Sequence, residues 1–188
     1  MMLQLKIELN DMAIWRRFLV EDSISFHKLH EIIQTVMGWE FSHLYEFRIG
    51  KTRIEADQAK GFFIDSMWTA FEPKKATRSG RTRLDELIKT EKQKFQYTYD
   101  FGDFWEHTIT VEKILEKAKK CPACIAGERA CPPEDCGGMW GYEELLEIRK
   151  DKNHPEYEEK IVEWLGEDFD PEYFDLDKIN RSLRANRK

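Results

Sequence analysis

No stretch of the chain approaches the ~18 consecutive apolar residues that a membrane span requires. Its beginning, Met1-Met-Leu-Gln-Leu-Lys6, alternates like a strand and lacks the apolar h-region of a signal peptide. The expectation is a cytoplasmic protein with no membrane partner. Cysteine is scarce, with four in 188 residues, and in a reducing compartment these are thiols or metal ligands rather than disulfides. There is no excess of positive charge either. A formal net charge of −6 argues against a general nucleic-acid coat protein, whose affinity comes from neutralising phosphates. The chain also lacks a Ser/His/Asp elbow, a kinase motif set, an HExxH pair and a P-loop glycine pattern. Neither an internal repeat nor a low-complexity segment is found. These absences remove the common hydrolase and transferase templates without naming a reaction.

What the sequence does contain is a core. It is 41% hydrophobic and 13% aromatic, enough for one globular domain without staples. Leu3, Leu5, Ile7 and Leu9 alternate with polar residues as in a half-buried strand, Asn10-Asp11 marks a turn, and Ile14 to Val20 reads as the returning strand. Ser25 precedes Phe26, Leu29, Ile33, Val36 and Met37 at helical spacing, and Gly38 is placed to end that helix. Tyr45, Phe47 and Ile49 predict a third strand. Residues 50–83 are hard to read, with strand-like Phe62-Phe-Ile64 and Met67 to Phe71. Thr82-Arg-Leu-Asp85 resembles a capping box opening a short helix.

The second hairpin is the clearest local feature. Phe95, Tyr97 and Tyr99 share one face, as do Trp105, His107, Ile109 and Val111. Residues paired across a hairpin lie on the same side of the sheet, so the two apolar sets meet only if the loop holds an odd number of residues. The parity predicts a loop of three or five residues centred on Gly102, with Tyr99 opposite Trp105 and Tyr97 opposite His107. Beyond it, Tyr142, Leu145 and Leu146 predict a helix to about Lys150. Pro155 suits a first helical residue, Tyr157, Ile161, Trp164 and Leu165 form a buried stripe closed by Gly166, and Leu176, Ile179 and Leu183 give a last short helix. The fold class is therefore α+β. A single domain carries an antiparallel or mixed sheet built from two hairpins, with one packed helix over residues 1–115. A cysteine loop and a helical C-terminal third follow over 116–188.

Residues able to do chemistry concentrate between Phe95 and Tyr142. Cys121, Cys124, Cys131 and Cys136 can supply four thiolates to a tetrahedral zinc, the one cofactor the composition suggests. Against that, each can be a small buried hydrophobe. Asp100, Asp103, Glu106 and His107 lie about a tight turn, with Glu134 and Asp135 further along. Carboxylates with one imidazole suit a divalent metal or general acid–base work. Parity puts His107 on the apolar face, where the bland reading is a core histidine bonded to Asp100 or Asp103. His27 and His30 on the first helix, and His43 at a strand start, carry no pattern of their own. Lys74, Lys75, Arg78, Arg81 and Arg83 form a basic run, either a solvated loop or a phosphate-facing patch with strong salt dependence.

Tyr99-Asp-Phe-Gly-Asp-Phe-Trp-Glu-His107 and Gly127-Glu-Arg-Ala-Cys-Pro-Pro-Glu-Asp-Cys-Gly-Gly138 resemble the plasmid pRiA4b ORF-3-like family, also met as passenger proteins of transposable elements. Ile14-Trp-Arg-Arg17, Leu29-His30, Met37-Gly-Trp39, His43-Leu44, Gly141-Tyr142 and Trp164-Leu-Gly166 extend the resemblance over nearly the whole chain. It implies no activity, since the family is uncharacterised. It does imply that Cys124 and Cys131 are family-pattern cysteines while Cys121 and Cys136 are not. A shared site would then use Asp100, Asp103, His107, Glu134 and Asp135. Three functions follow as expectations: an interaction module with a protein partner, a metal-dependent enzyme acting hydrolytically or on nucleic acid, and nucleic-acid binding through the basic run.

Overall fold

A computed structural model describes residues 1–57, 75–116 and 121–186. Alternation at the start of the chain produces β1 (Met2–Leu9) and β2 (Trp15–Glu21), paired antiparallel with Leu5 opposite Phe18. α1 (Phe26–Met37) begins where the Ser25 side chain accepts from the Lys28 N–H. It ends at Gly38, whose φ of 104° is a conformation that other residues adopt only at a cost. β3 (Tyr45–Ile49) and β4 (Thr52–Glu55) form a hairpin that the sequence did not announce, and β5 (Lys75–Arg78) joins β4 in parallel. The strand-like stretches Phe62 to Ile64 and Met67 to Phe71 lie outside the described residues, as does Lys74.

The parity argument holds. β6 (Lys94–Tyr99) and β7 (Trp105–Leu115) pair with Tyr99 opposite Trp105 and Tyr97 opposite His107, across a loop of residues 100–104. β7 also pairs with β1, setting Ile109 against Ile7, so the two hairpins merge into one eight-stranded mixed sheet ordered β5-β4-β3-β6-β7-β1-β2-β8. Two readings need correction. The cysteine segment is not all loop: β8 (Ala123–Glu128) adds the last strand, beside β2. Its six residues scarcely alternate. The strand is fixed instead by its partner and by Asn180, whose side chain accepts from the Cys124 N–H (3.0 Å) and donates to the Cys124 carbonyl (2.9 Å). α2 (Leu84–Leu87) is capped by Glu86 accepting from the Arg83 N–H, not by Thr82, whose hydroxyl donates to the Arg78 carbonyl.

The helical C-terminal third is present as α3 (Gly138–Ile148), a π-helical segment (Glu158–Leu165) ending at Gly166, and α4 (Leu176–Ala185). No helix among the described residues is long and apolar enough to cross a membrane.

α1 lies on the apolar face of the sheet, with Phe26 edge-on to Phe47 and Phe95. Several polar groups there are paired, while His107 Nε2 and Trp105 Nε1 are buried without a hydrogen-bond partner. The Tyr97 hydroxyl bridges His30 Nδ1 (2.8 Å) and Gln34 Nε2 (3.1 Å), and the Gln34 oxygen accepts from the Phe41 N–H. His107 donates from Nδ1 to the Tyr97 carbonyl at 3.2 Å. Burial lowers the pKa of His30 to about 3, helped by the nearby charge of His27, and that of His107 to about 4.

Both imidazoles are therefore neutral in the folded protein, while in the unfolded chain they titrate near 6.5. Below that value the unfolded state binds protons that the folded state refuses. Stability is full above about pH 6.5 and falls on acidification toward pH 4, by up to roughly 2.7 kcal/mol per unit for the pair. Urea unfolding at pH 7, 6 and 5 should show the decline; a flat profile would contradict it.

Candidate metal centre

Three segments distant in the chain meet at one end of the sheet: the turn after α1 (residues 39–44), the β6–β7 loop (100–104) and the stretch from Pro132 to Gly138. Their junctions are hydrogen bonds. Trp39 Nε1 donates to the Pro132 carbonyl at 3.1 Å, and the Asp100 N–H to the Leu44 carbonyl at 2.9 Å. Asp103 Oδ2 accepts from the Gly137 N–H at 3.1 Å. Gly138 has φ 69°, and a Cβ there would stand 2.6 Å from the Asp103 carbonyl oxygen, so the loop can seat only on a glycine. Phe41, Asp100, Phe104 and Asp135 all have φ between 54° and 63°. Left-handed backbone at non-glycine residues costs of order 1–3 kcal/mol each and collects at functional sites.

At the junction His43 Nε2 stands 3.2 Å from Asp135 Oδ1, 3.6 Å from Asp100 Oδ2 and 3.6 Å from Glu134 Oε2. It makes no hydrogen bond to any of them. His43 Nε2 and Glu134 Oε2 are both fully shielded from solvent and without a hydrogen-bond partner. The remaining oxygens are held. Asp100 Oδ1 accepts from the Gly102 N–H (2.8 Å), and Glu134 Oε1 accepts from the Tyr99 hydroxyl and the Glu40 N–H, each at 2.9 Å. Tyr99 in turn accepts from the N–H groups of Ser42 (3.1 Å) and His43 (3.3 Å). Burial, and then the Glu134 carboxylate beside it, push the Tyr99 hydroxyl well above the usual tyrosine range. It therefore remains a donor.

Among the described residues, the one group of three or more candidate ligand atoms lying within 4.8 Å of one another is His43, Asp100 and Asp135. Asp100 is buried and Asp135 is 72% exposed, so the group has an open side. Because the Tyr99 hydroxyl accepts from the N–H of His43, Tyr99→Phe is expected to lower about tenfold the affinity of any divalent cation held by this group, as loss of such supporting groups does. Isothermal titration measures it, and an unchanged affinity would show that Tyr99 has no positioning role.

Of the acids singled out in the sequence, Asp100, Glu134 and Asp135 come together, while Asp103 spends its carboxylate on the Gly137 backbone. His107 does not join them. It is a core histidine, but its partner is the Tyr97 carbonyl rather than Asp100 or Asp103, and it packs edge-on against Trp39 with ring centroids 5.2 Å apart. The imidazole at the site is His43. No local pattern in the sequence marks it: His43 is placed by the β3–β6 register, in which Tyr45 pairs with Tyr99 and sets the residues before Tyr45 beside Asp100.

Among the described residues the four cysteines do not form a group of ligand atoms within 4.8 Å of one another. Cys124 is buried on β8, paired with Phe18 of β2, with its thiol against the carbonyls of Arg17 and Ala126. Burial raises the thiol pKa of Cys124 and Cys131, and takes that of Cys136 to about 12 with help from the Asp103 charge. In the basic run, Arg78 Nη1 lies 3.1 Å from Glu55 Oε2 and Arg83 pairs with Asp85, so both charges are answered within the chain. Arg81 is exposed, and the Lys75 side chain lies outside the described residues.

A family model for plasmid pRiA4b ORF-3-like proteins matches residues 1–178. The chain belongs to that family. An uncharacterised family relative, y4hQ of Sinorhizobium fredii, is 34% identical over 184 residues, covering 96% of this chain and 89% of its own. A crystal structure of a protein of unknown function from Methanosarcina mazei Go1 has a TM-score of 0.78 and 38% identity. That comparison covers 94% of this chain and 96% of that one. The family thus supplies a fold, and the chemistry has to come from the site.

Proposed function

We propose that this pRiA4b ORF-3-like protein binds one divalent cation through His43, Asp100 and Asp135, and that it is a metal-dependent enzyme rather than a passive interaction module. One observation carries the reading: the unpartnered His43 Nε2 faces Asp135 and Asp100 oxygens at 3.2 and 3.6 Å without bonding to either. Burying a polar nitrogen without a partner is costly, and clustered carboxylates repel one another. A cation between them removes both penalties. Two donors each about 2.1 Å from one ion stand roughly 3.0 Å apart at a right angle and 3.4 Å at the tetrahedral angle.

One nitrogen and two oxygens, with no sulfur, suit Zn²⁺, Mn²⁺ or Fe²⁺. Three protein ligands with an open side leave a coordination position for water or substrate, as catalytic rather than structural sites do. Chelated and reconstituted protein is expected to take up about one Zn²⁺ or Mn²⁺ per chain by elemental mass spectrometry. No uptake of either would overturn the proposal. The interaction reading keeps one supporting observation, the exposed Phe104 and Trp140 on adjoining segments. It becomes preferred if no metal binds.

A further inference from the structure

Arg16 is a buried cation whose hydrogen bonds are largely answered and whose charge is not. It is 2% exposed, and its guanidinium donates to four backbone carbonyls. Nε donates to Val36 (2.8 Å), Nη1 to Trp15 (2.8 Å) and Glu128 (2.7 Å), and Nη2 to Arg129 (2.7 Å). The Phe174 ring lies 4.9 Å from its central carbon. A guanidinium has five N–H groups, so one on Nη2 has no acceptor among the described residues. No carboxylate among them pairs with Arg16 either. Carbonyl dipoles satisfy donors, but a guanidinium stays protonated, and a buried charge without an opposite charge is strongly unfavourable.

Arg16 lines a cavity of about 640 Å³ bounded by the last turn of α1, the Ala130-Cys131 stretch, the segment from Asp168 to Asp175 and α4. That volume is in the range of small-molecule sites. The charges around it are Arg16 and Lys178 against Asp168, Asp170 and Asp175. Two of these carboxylates are committed to local structure. Asp170 accepts from the Glu172 N–H at 3.0 Å, and Asp175 from the Lys178 N–H (2.8 Å) and the Tyr173 hydroxyl (3.2 Å). Asp168 is exposed and makes no side-chain hydrogen bond or ion pair among the described residues. A purely anionic ligand would meet three carboxylates in this space, and a purely cationic one would leave Arg16 unanswered.

We infer that this cavity binds a small zwitterion, an amino acid whose carboxylate pairs with Arg16 and whose ammonium group pairs with Asp168. Its carbon chain lies against Phe169 and Ile179, which line the same space. The rival account makes Arg16 a clamp that ties the end of α1 and β2 to the exit from β8 and does nothing more. A clamp accounts for the four carbonyl bonds. It does not account for the free N–H or for an unanswered charge on the wall of a cavity.

Isothermal titration of the full chain separates the two accounts. The probes are L-leucine, L-phenylalanine and 6-aminohexanoate, which place their charges at different separations. Each is paired with its analogue lacking the ammonium group and its analogue lacking the carboxylate, for leucine 4-methylpentanoate and 3-methylbutylamine. At least one amino acid is expected to bind at millimolar concentration or below, with both of its single-charge analogues weaker by about tenfold or more, as loss of a charged hydrogen bond predicts. Asp168→Asn should weaken the amino acid about tenfold and leave the carboxylate-only analogue unchanged, a pattern that general damage to the fold does not give. Arg16→Lys keeps the charge but loses the fork, and should abolish binding. If that variant does not fold, Asp168→Asn decides the matter alone. No binding of any amino acid would overturn the site and leave Arg16 a clamp. A carboxylate analogue as tight as its amino acid would overturn the zwitterion, and unchanged affinity in Asp168→Asn would overturn the ammonium pairing. None of His43, Asp100 and Asp135 lines the cavity, so EDTA-treated protein should bind equally well and the outcome is separable from that of the metal reading.

Discussion

His43→Ala is expected to abolish stabilisation by metal. A ligand that binds only the folded state at a hundred times its Kd adds about 2.7 kcal/mol. For a chain of this length that raises Tm by roughly 5–10 °C. Removing His43 takes away the sole nitrogen donor and leaves two carboxylates to hold the ion, so the shift should vanish in differential scanning fluorimetry with Zn²⁺ or Mn²⁺. Collapse of the loop is the competing explanation, and Asp100→Asn separates the two. Asparagine retains an oxygen to accept from the Gly102 N–H, which keeps the turn, but it loses the charge that faces His43. Loss of the metal shift in both variants, with metal-free Tm close to wild type for Asp100→Asn, supports the centre. A full metal shift in His43→Ala would place the ligands elsewhere.

Gly141→Ala should destabilise the fold, against the usual trend. Inside a helix, alanine is ordinarily better than glycine by up to about 1 kcal/mol. Gly141 lies in α3, but a Cβ there would stand 1.9 Å from the Cys136 carbonyl oxygen and 2.9 Å from its carbon. Both are backbone atoms, with no rotamer to relieve the overlap. Either α3 or the segment bearing Glu134 and Asp135 must move. We expect a loss of about 3 kcal/mol, at the upper end for overpacking, read as a lower urea midpoint at unchanged slope. Because Asp135 adjoins the displaced carbonyl, metal affinity should fall as well. A gain in stability would mean that the close approach of α3 to Cys136 is absent in solution. Gly127→Ala makes a useful contrast, since the nearest obstruction there is the ring edge of Phe174, a side chain able to turn aside.

Where the sequence was readable, the cause was local. Period-two alternation alone set the faces of β6 and β7, and parity then fixed a five-residue loop and the Tyr97–His107 pair. Ser25 and Gly38 bounded α1 because capping chemistry is carried by single residues. The same reasoning correctly put His107 in the core, but its bonding partner was missed. A strand carbonyl one position across the sheet is available at every paired residue, whereas a side-chain acid draws attention by its type. β8 went unseen because Ala123 to Glu128 owe their conformation to β2 and Asn180 rather than to their own pattern. The ligand-like spacing of the cysteines does not bring their thiols into one group among the described residues, for a related reason. Spacing along the chain matches ligand spacing only when the segment is a free loop, and a strand turns Cys124 inward.

The sequence by itself determined the α+β class, the two hairpins, the α1 boundaries and the helical C-terminal third; it grouped Asp100, Asp103, His107, Glu134 and Asp135 as candidates without separating those that meet from those that do not. Only the tertiary structure decided which histidine Asp100, Glu134 and Asp135 meet. His43 belongs to no motif with them. It reaches Asp100 because β3 pairs with β6 in the register that sets Tyr45 beside Tyr99, and it reaches Asp135 because Trp39 and Glu40 pin the distant Pro132–Glu134 stretch to the turn after α1. Register and loop docking are long-range properties, set by hydrogen bonds between segments that local periodicity never compares.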